Sequence, residues 1–224
     1  MVIWRLKSHV GQNEQTRKSK DYIMRKILKI MLSLLLIIVL STPCRIFAAS
    51  YYTFNDHKMI GGVGDYGKNK KYYYIVSNAD SHADFINGSI KQWVNTTSRL
   101  GYTTSLSFAK TTNRSNSVLD YMTTSGKGNH SDGVLAWTEF YKSGKNINPS
   151  TVNWKYCYVK IYKTNFNKLT KNGRKGTIAH EAGHAFGLAH NQGNPKSIMC
   201  QTKYGRAVSS AQICDLKGIN HLYK

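Results

Sequence analysis

The pattern of apolar and polar positions predicts a chain that alternates between strands and helices. Five segments are rich in aromatic and β-branched residues and are predicted strands: 72–76, 103–109, 117–122, 134–141 and 156–162. Apolar residues recur at helical spacing in three other segments, which are predicted helices: 82–99, 174–188 and the stretch after Gln212. Ser209 and Gln212 have the spacing of a capping box ahead of the last helix. This mixture indicates one domain of the α+β or α/β class.

The first part of the chain has a different pattern. Residues 30–40 form a nearly unbroken apolar run that follows a basic stretch at 25–29 and precedes small residues at 48–49. This order is typical of a secretory signal peptide, and the run is short for a membrane span. We therefore predict that residues 1–49 are a signal peptide with an upstream extension, with Met24 as an alternative start. Retention as a membrane anchor is the alternative to cleavage.

The balance of charge is strongly basic. The 224 residues include 32 Lys and Arg against 11 Asp and Glu, a formal net charge of +21. Removal of residues 1–49 takes away nine of the basic and two of the acidic side chains, which leaves about +14. Such a charge favours anionic partners, and for an exported protein we expect cell-envelope polymers. The sequence has no aromatic-basic motif that would indicate nucleic acid, and a solvated surface with no specific partner is the alternative.

Residues 180–190 have the pattern H-E-x-x-H-x-x-G-x-x-H. His180 and His184 are four residues apart and share one face of a helix, so both imidazoles can bind one metal ion. Gly187 lets the chain leave the helix with backbone angles that other residues resist, which would return His190 as a third ligand. Three protein ligands leave the fourth zinc position open for water, as in a catalytic rather than a structural zinc site.

Glu181 follows the first ligand and is rotated away from the ligand face, within reach of a water on the metal. A bare H-E-x-x-H also occurs by chance in unrelated helices. Here it coincides with the glycine, with a third histidine and with Met199 a few residues downstream. We therefore predict one catalytic Zn²⁺ ion, with Glu181 as the catalytic general base.

This segment and Met199 resemble the signature of the metzincin clan of zinc endopeptidases. The order of the predicted elements is similar to that of the matrixin group, over roughly residues 58–224. The resemblance implies a twisted, mostly parallel five-stranded sheet with one antiparallel edge strand, for which 134–141 is the candidate. It also implies three main helices and a zinc cleft under the edge strand, along which a peptide could add to the sheet. Met199 would form an apolar floor beneath the imidazoles.

The resemblance implies the function as well. The chain would be a secreted, monomeric zinc endopeptidase in which Glu181 activates a zinc-bound water to hydrolyse peptide bonds of extracellular proteins or peptides. Residues 50–70 would be a short leader and residues 71–224 the catalytic domain. Two alternatives stay open, namely a zinc amidohydrolase that acts on cell-wall peptides and an inactive module that binds the envelope.

The chain departs from the family pattern in two respects. Position 201 is glutamine, where astacin- and serralysin-like relatives have a tyrosine two residues after the methionine. Acidic residues are scarce, which puts the structural calcium sites of the family in doubt.

Export permits a disulfide, and Cys200–Cys214 is the candidate pair because it would join the methionine turn to the last helix. Cys157 alternates with apolar residues and is expected in the core.

Overall fold

A computed structural model of the protein describes residues 22–29, 31, 51–125 and 133–224. Contacts divide the chain into two units, Met1–Ala49 and Ser50–Lys224. Residues 22–29 of the first unit are helical and exposed, and the rest of the predicted signal peptide lies outside the described residues apart from residue 31. None of the helices in the described ranges has both the length and the apolar character that crossing a bilayer requires.

A mixed sheet organises the second unit. Its six strands are β1 Lys71–Ile75, β2 Phe108–Lys110, β3 Leu119–Thr124, β4 Ala136–Lys142, β5 Lys145–Asn146 and β6 Tyr156–Tyr162, in the spatial order β2-β1-β3-β6-β4-β5. β2, β1, β3 and β6 run parallel, whereas β4 is antiparallel to both β6 and β5. The predicted mixture of helices with a mixed sheet is confirmed. The predicted number of five strands is wrong, because β5 pairs with β4 at Tyr141 and Lys142 and becomes the outermost strand.

The predicted strand 103–109 is a strand only at its end. The carbonyl oxygen of Ser105 accepts from the Tyr66 amide, and the Ser107 amide donates to the carbonyl oxygen of Val63. These backbone groups therefore form hydrogen bonds to the segment ahead of β1. A local alternation of apolar and polar residues does not reveal such a pairing. The paired strand is reduced to Phe108–Lys110.

The helices of the second unit also differ in their limits from the predicted ones. They are α1 Ala83–Val94, α2 Thr96–Leu100, α3 Lys163–Phe166, α4 Lys171–Ala185 and α5 Ile213–Tyr223, with short 3-10 segments at Ser77–His82, Arg114–Asn116 and Thr202–Tyr204. The predicted helix 82–99 is interrupted at Asn95, whose ψ of 44° is not helical. The capping box of α5 is formed by Gln212 and Asp215, three residues later than the Ser209 and Gln212 of the sequence prediction.

The core lies between the sheet and the helices α1 and α4. Cys157, Val159 and Ile161 of β6 are fully buried and alternate with partly exposed residues. The indole N–H of Trp93 on α1 donates to the carbonyl oxygen of Ala179 on α4 at 3.0 Å. Full burial of each large apolar side chain contributes roughly 1.5–3 kcal/mol to folding. α4 is thus fixed against both α1 and the sheet, with its C-terminal half inside the protein.

The segment ahead of β1 packs against the chain that follows α4. Thr53 forms an antiparallel bridge with Leu188, and the Ala189 amide donates to the carbonyl oxygen of Tyr52 at 2.9 Å. Met59, farther along the same segment, is buried in the core. The turn after α4 is therefore held by residues that are distant in sequence.

Candidate metal centre

Three histidine side chains meet at the C-terminal end of α4. Nε2 of His184 lies 3.1 Å from Nε2 of His180 and 3.1 Å from Nε2 of His190. The ligand atoms of all three lie within 4.8 Å of one another, and among the described residues this is the one group of three or more His, Cys, Asp or Glu side chains that could share an ion. His180 and His184 are buried, whereas His190 is exposed to solvent.

Hydrogen bonds fix which nitrogen carries the proton in two of the rings. Nδ1 of His180 lies 2.8 Å from the carbonyl oxygen of Ile198, and Nδ1 of His184 lies 2.7 Å from that of Leu188. Because a carbonyl oxygen only accepts, each Nδ1 donates. Burial lowers the pKa of His180 well below its usual value and that of His184 to about 3, so neither ring is charged near neutral pH. Each Nε2 therefore carries a lone pair and no proton.

The arrangement of the two lone pairs fits a zinc ion. Two neutral nitrogens that face each other at 3.1 Å with no proton between them repel, and a cation shared by both removes that repulsion. Two nitrogens that each lie ~2.0–2.1 Å from a tetrahedral zinc are about 3.3 Å apart, which is close to the observed spacing. Neutral imidazoles whose other nitrogen donates to a carbonyl are also the ligands that zinc sites use.

Gly187 makes the turn that brings His190 back to the other two histidines. α4 ends at Ala185, before the predicted limit at residue 188, and Gly187 has a φ of +107° that side chains rarely adopt. A Cβ atom at this position would also lie 2.6 Å from Cδ1 of Leu222 on α5. The turn therefore needs glycine both for its backbone angle and for the close packing of α5.

Glu181 is buried and is hydrogen-bonded to the neighbouring sheet. Thr138 on β4 donates to Oε2 of Glu181 at 2.7 Å. Burial raises the pKa of Glu181 to about 7, while the Thr138 hydrogen bond and the charge of Arg206 act in the opposite direction. A carboxyl group with a pKa near neutrality can accept a proton in one step and release it in the next.

Met199 packs against α4 at Gly183, between the two helical histidines. Met199 is buried, and a Cβ atom at Gly183 would collide with its sulfur and would lie 3.1 Å from Cζ2 of Trp93. The absence of a side chain at Gly183 therefore leaves room for Met199 and Trp93 at this position of α4. Met199 thus contacts α4 at Gly183, whereas its role as an apolar floor beneath the three imidazoles stays a prediction.

Asp215 holds the loop that precedes Met199. Its buried carboxylate accepts from the hydroxyl of Ser197, from the amide of Ile198 at 3.0 Å and from the amide of Gln212 at 2.8 Å. Burial raises the pKa of Asp215, and the hydrogen bond from Ser197 opposes that shift. The carbonyl oxygen of Ile198 accepts from His180, so Asp215 and this proposed ligand are linked through the backbone of one residue, Ile198.

Sequence reasoning missed three residues near the histidines, namely Thr138, Asp215 and Arg206. Thr138 lies on a predicted strand, but the face that it occupies depends on how the strand packs on α4. Asp215 could have been found through the capping box of α5 if that motif had been placed correctly. Arg206 is in a loop with no motif, and only its position in space reveals it.

The cysteines do not form the disulfide considered from the sequence. All three described cysteines are free thiols. Sγ of Cys200 is buried, 3.6 Å from the carbonyl oxygens of Gln201 and Tyr204, whereas Cys214 is exposed and its Sγ accepts from Asn194 at 3.6 Å. The two thiols thus have separate surroundings. Cys157 is fully buried, as predicted.

Neither the models of known protein families nor the curated proteins give a match to this chain. Its likeness to metzincins is therefore carried by the pattern of residues 180–190, by Met199 and by the order of its elements. Membership of that clan stays a proposal, to be judged by the chemistry of the site.

Proposed function

We propose that this protein is a secreted, zinc-dependent endopeptidase of the metzincin type, similar to matrixins, that hydrolyses peptide bonds of extracellular proteins or peptides. One observation carries the proposal. Two buried, neutral imidazoles, His180 and His184, face each other lone pair to lone pair at 3.1 Å. Histidines packed only for stability would place a donor against an acceptor, because an unpaired buried polar group is costly.

The composition of the group favours a catalytic metal over a structural one. Structural zinc sites are closed by four protein ligands, whereas catalytic sites have three and leave one position for water or substrate. Within the described residues no fourth His, Cys, Asp or Glu joins the three histidines. His190 is exposed, so solvent and a peptide can reach the group from that side.

Glu181 is the proposed catalytic general base. When bound, a zinc ion polarises a peptide carbonyl and lowers the pKa of its coordinated water. Glu181 takes a proton from the attacking water and then gives it to the leaving amine, a role that suits a buried carboxyl group with a pKa of about 7. The hydroxyl of Thr138 lies 2.7 Å from Oε2 and 3.0 Å from the carbonyl oxygen of Glu181, so it supports the carboxylate in the observed orientation.

The substrate peptide is proposed to bind along β4. β4 is antiparallel to β6, and it pairs with β5 only at Tyr141 and Lys142. Thr138 lies on the part of β4 that precedes this hairpin and contacts Glu181 directly. A peptide added beside that part of the strand would pass the proposed catalytic residue.

The test begins with the full chain expressed in cells, followed by collection of the medium. We expect a processed protein in the medium that holds one zinc ion per chain by elemental analysis and cleaves an unfolded protein such as casein. A chelator should abolish the cleavage and added zinc should restore it. A protein without stoichiometric metal, or with cleavage that persists in chelator, would refute the proposal.

A substrate panel separates the proposed function from its alternatives. Casein, a quenched peptide library and purified peptidoglycan are offered in parallel to the native protein and to Glu181→Gln. Cleavage of peptidoglycan stems without cleavage of casein would identify a zinc amidohydrolase instead. Zinc binding with no hydrolysis of any of the three would identify an inactive module.

A further inference from the structure

A cavity lies between helix α1 and the edge of the sheet that β2 forms. Its volume is about 400 Å³, within the range of the pockets in which proteins bind small molecules. Residues of α1 line one side, and residues of β1 and β2 line the other. None of the three histidines lines the cavity, and β4, which contacts Glu181, is on the other half of the sheet. The cavity is therefore separate from the proposed metal centre.

The lining is largely apolar and elongated. Four positions on one face of α1 contribute to it: Asn87, Ile90, Lys91 and Val94. Phe108 of β2 contributes from the sheet, and both Ile90 and Phe108 are buried. Asn87 and Val94 are separated by about two turns of helix, so this face of α1 is about 10 Å long at a rise of ~1.5 Å per residue. The cavity thus has an apolar surface that is longer than a single side chain.

Two lysines border the cavity. Lys91 of α1 and Lys110 of β2 both line it, and both are exposed. Lys110 pairs with Tyr73 in the register of β1 with β2, so these two side chains share one face of the sheet. In the part of the chain that the structure describes, neither lysine forms a hydrogen bond or an ion pair, whereas Lys160 binds Glu139 at 2.7 Å. Since no lining residue is acidic, the described residues give this cavity two positive charges and no negative one.

An amide group adds a third donor. The hydroxyl of Tyr73 donates to Oδ1 of Asn87 at 2.7 Å, and burial raises the pKa of Tyr73 to about 12, so the hydroxyl keeps its proton. This bond occupies the acceptor of the amide, and among the described residues Nδ2 of Asn87 has no acceptor. Asn87 and Lys91 are four residues apart on α1 and are therefore neighbours on its surface. The polar groups around the cavity are thus donors that suit an anion.

We propose that this cavity binds a small carboxylate with an unbranched apolar chain, of the class of medium-chain fatty acids. The carboxylate lies between Lys91 and Lys110 and accepts from Asn87, which completes the charge and the hydrogen bonds of the site. The chain extends along α1 and covers Ile90 and Phe108, whose apolar surface gains from the loss of water. The inference does not use the histidine cluster, so it is independent of the proposed function.

The first measurement is isothermal titration of the purified protein with decanoate, below the micelle concentration of this probe. We expect one site per chain with a Kd below about 1 mM. Acetate has the same head group without the chain, and decylammonium has the same chain with a positive head group. Both should bind at least about tenfold more weakly, because each lacks one of the two interactions. A Kd for decanoate above about 1 mM, or equal binding of decanoate and decylammonium, would overturn the proposal.

A pair of substitutions tests the charges. Lys91→Gln combined with Lys110→Gln should raise the Kd for decanoate by about tenfold or more, as expected for the loss of charged hydrogen-bond donors. The matched control combines Lys142→Gln with Lys145→Gln, which removes two exposed lysines from β4 and β5 at the opposite edge of the sheet. The control should leave the affinity unchanged. If both double variants weakened binding equally, the effect would come from net charge, and the assignment to this cavity would be overturned.

A larger side chain tests the apolar part. Val94→Trp keeps both lysines and fills the cavity, so it should weaken decanoate binding by about tenfold, while thermal denaturation shows that the variant is folded. An unchanged affinity in the folded variant would overturn the proposal. On the native protein, decanoate should shift the amide NMR signals of α1 and β2 first, and shifts confined to other elements would overturn it as well.

Chelation separates this inference from the proposed function. Decanoate should bind equally well before and after metal is removed, because no histidine lines the cavity. Loss of binding on chelation would overturn the inference. Binding that persists in a protein that cleaves no peptide would support the inference and refute only the proposed function.

Discussion

Two buried polar clusters meet at Ile198 in the loop of Met199, and they differ in whether they are complete. In the first cluster the carboxylate of Asp215 accepts three hydrogen bonds from its own protein. In the second cluster His180 and His184 present unprotonated nitrogens to each other. Ile198 joins the two clusters, since its N–H donates to Asp215 and its carbonyl oxygen accepts from His180.

The difference teaches how to distinguish a structural polar cluster from a binding site in one protein. Burial of polar groups is tolerated where each donor meets an acceptor, and Asp215 satisfies that rule without help. The histidines satisfy it only if a cation joins them. A buried cluster that lacks a component is therefore the stronger sign of a ligand, and the four predictions that follow test this contrast.

The largest expected effect is the stabilisation of the histidine cluster by metal. At free zinc about a thousand times the dissociation constant, the free energy of unfolding should rise by about 4 kcal/mol. His184→Ala should lose this gain, because two ligands remain. Thermal denaturation with and without zinc measures it, with His221→Ala, an exposed histidine of α5, as the control that keeps the gain. An equal response of His184→Ala and the native protein to zinc would contradict the assignment.

The next effect is the loss of Asp215, which should not depend on metal. Asp215→Ala leaves two backbone amides and a buried hydroxyl without an acceptor, at a cost of roughly 3 kcal/mol. Urea denaturation should show this loss equally with and without zinc. Asp84→Ala is the matched control, since both aspartates lie in the first turn of a helix, and Asp84 on α1 is exposed whereas Asp215 on α5 is buried. A loss below about 1 kcal/mol would mean that Asp215 is not needed for the loop.

A smaller effect is expected at Gly183, where Met199 packs against α4. Gly183→Ala adds a Cβ atom that meets Met199 and Trp93, so the loop must shift at a cost of about 1–3 kcal/mol. Gly88→Ala on α1 meets nothing within 4 Å and should stabilise by up to roughly 1 kcal/mol through helix propensity. If both variants were equally stable, close packing between α4 and Met199 would not matter.

The smallest effect concerns the orientation of Glu181. Thr138→Val removes the donor to Oε2 at nearly constant shape, and we expect kcat for peptide cleavage to fall about fivefold, as for the loss of one hydrogen bond of roughly 1 kcal/mol. Zinc content and stability should change little. Thr138→Ser keeps a hydroxyl and should recover most of the rate. An unchanged rate in Thr138→Val would show that burial alone orients the carboxylate.

The two clusters were not equally predictable from the sequence. His180, Glu181, His184 and His190 lie within eleven residues, so helical spacing and one glycine turn relate them. The contacts of Thr138 with Glu181 and of Asp215 with Ile198 join segments distant in sequence, and spacing carries no information on such pairs. The same reason explains the error at 103–109, because the carbonyl oxygen of Ser105 and the amide of Ser107 pair with the segment ahead of β1.

The bridge between Thr53 and Leu188 has a consequence for how the protein is made. A ribosome delivers Thr53 early and Leu188 near the end of synthesis, and contacts between distant segments are slow to form. The segment that contains Thr53 therefore cannot pair with Leu188 until most of the polypeptide has been synthesised. The turn after α4 can therefore form only late in biogenesis, once all the strands of the sheet have been synthesised, and until then the proposed metal centre is incomplete.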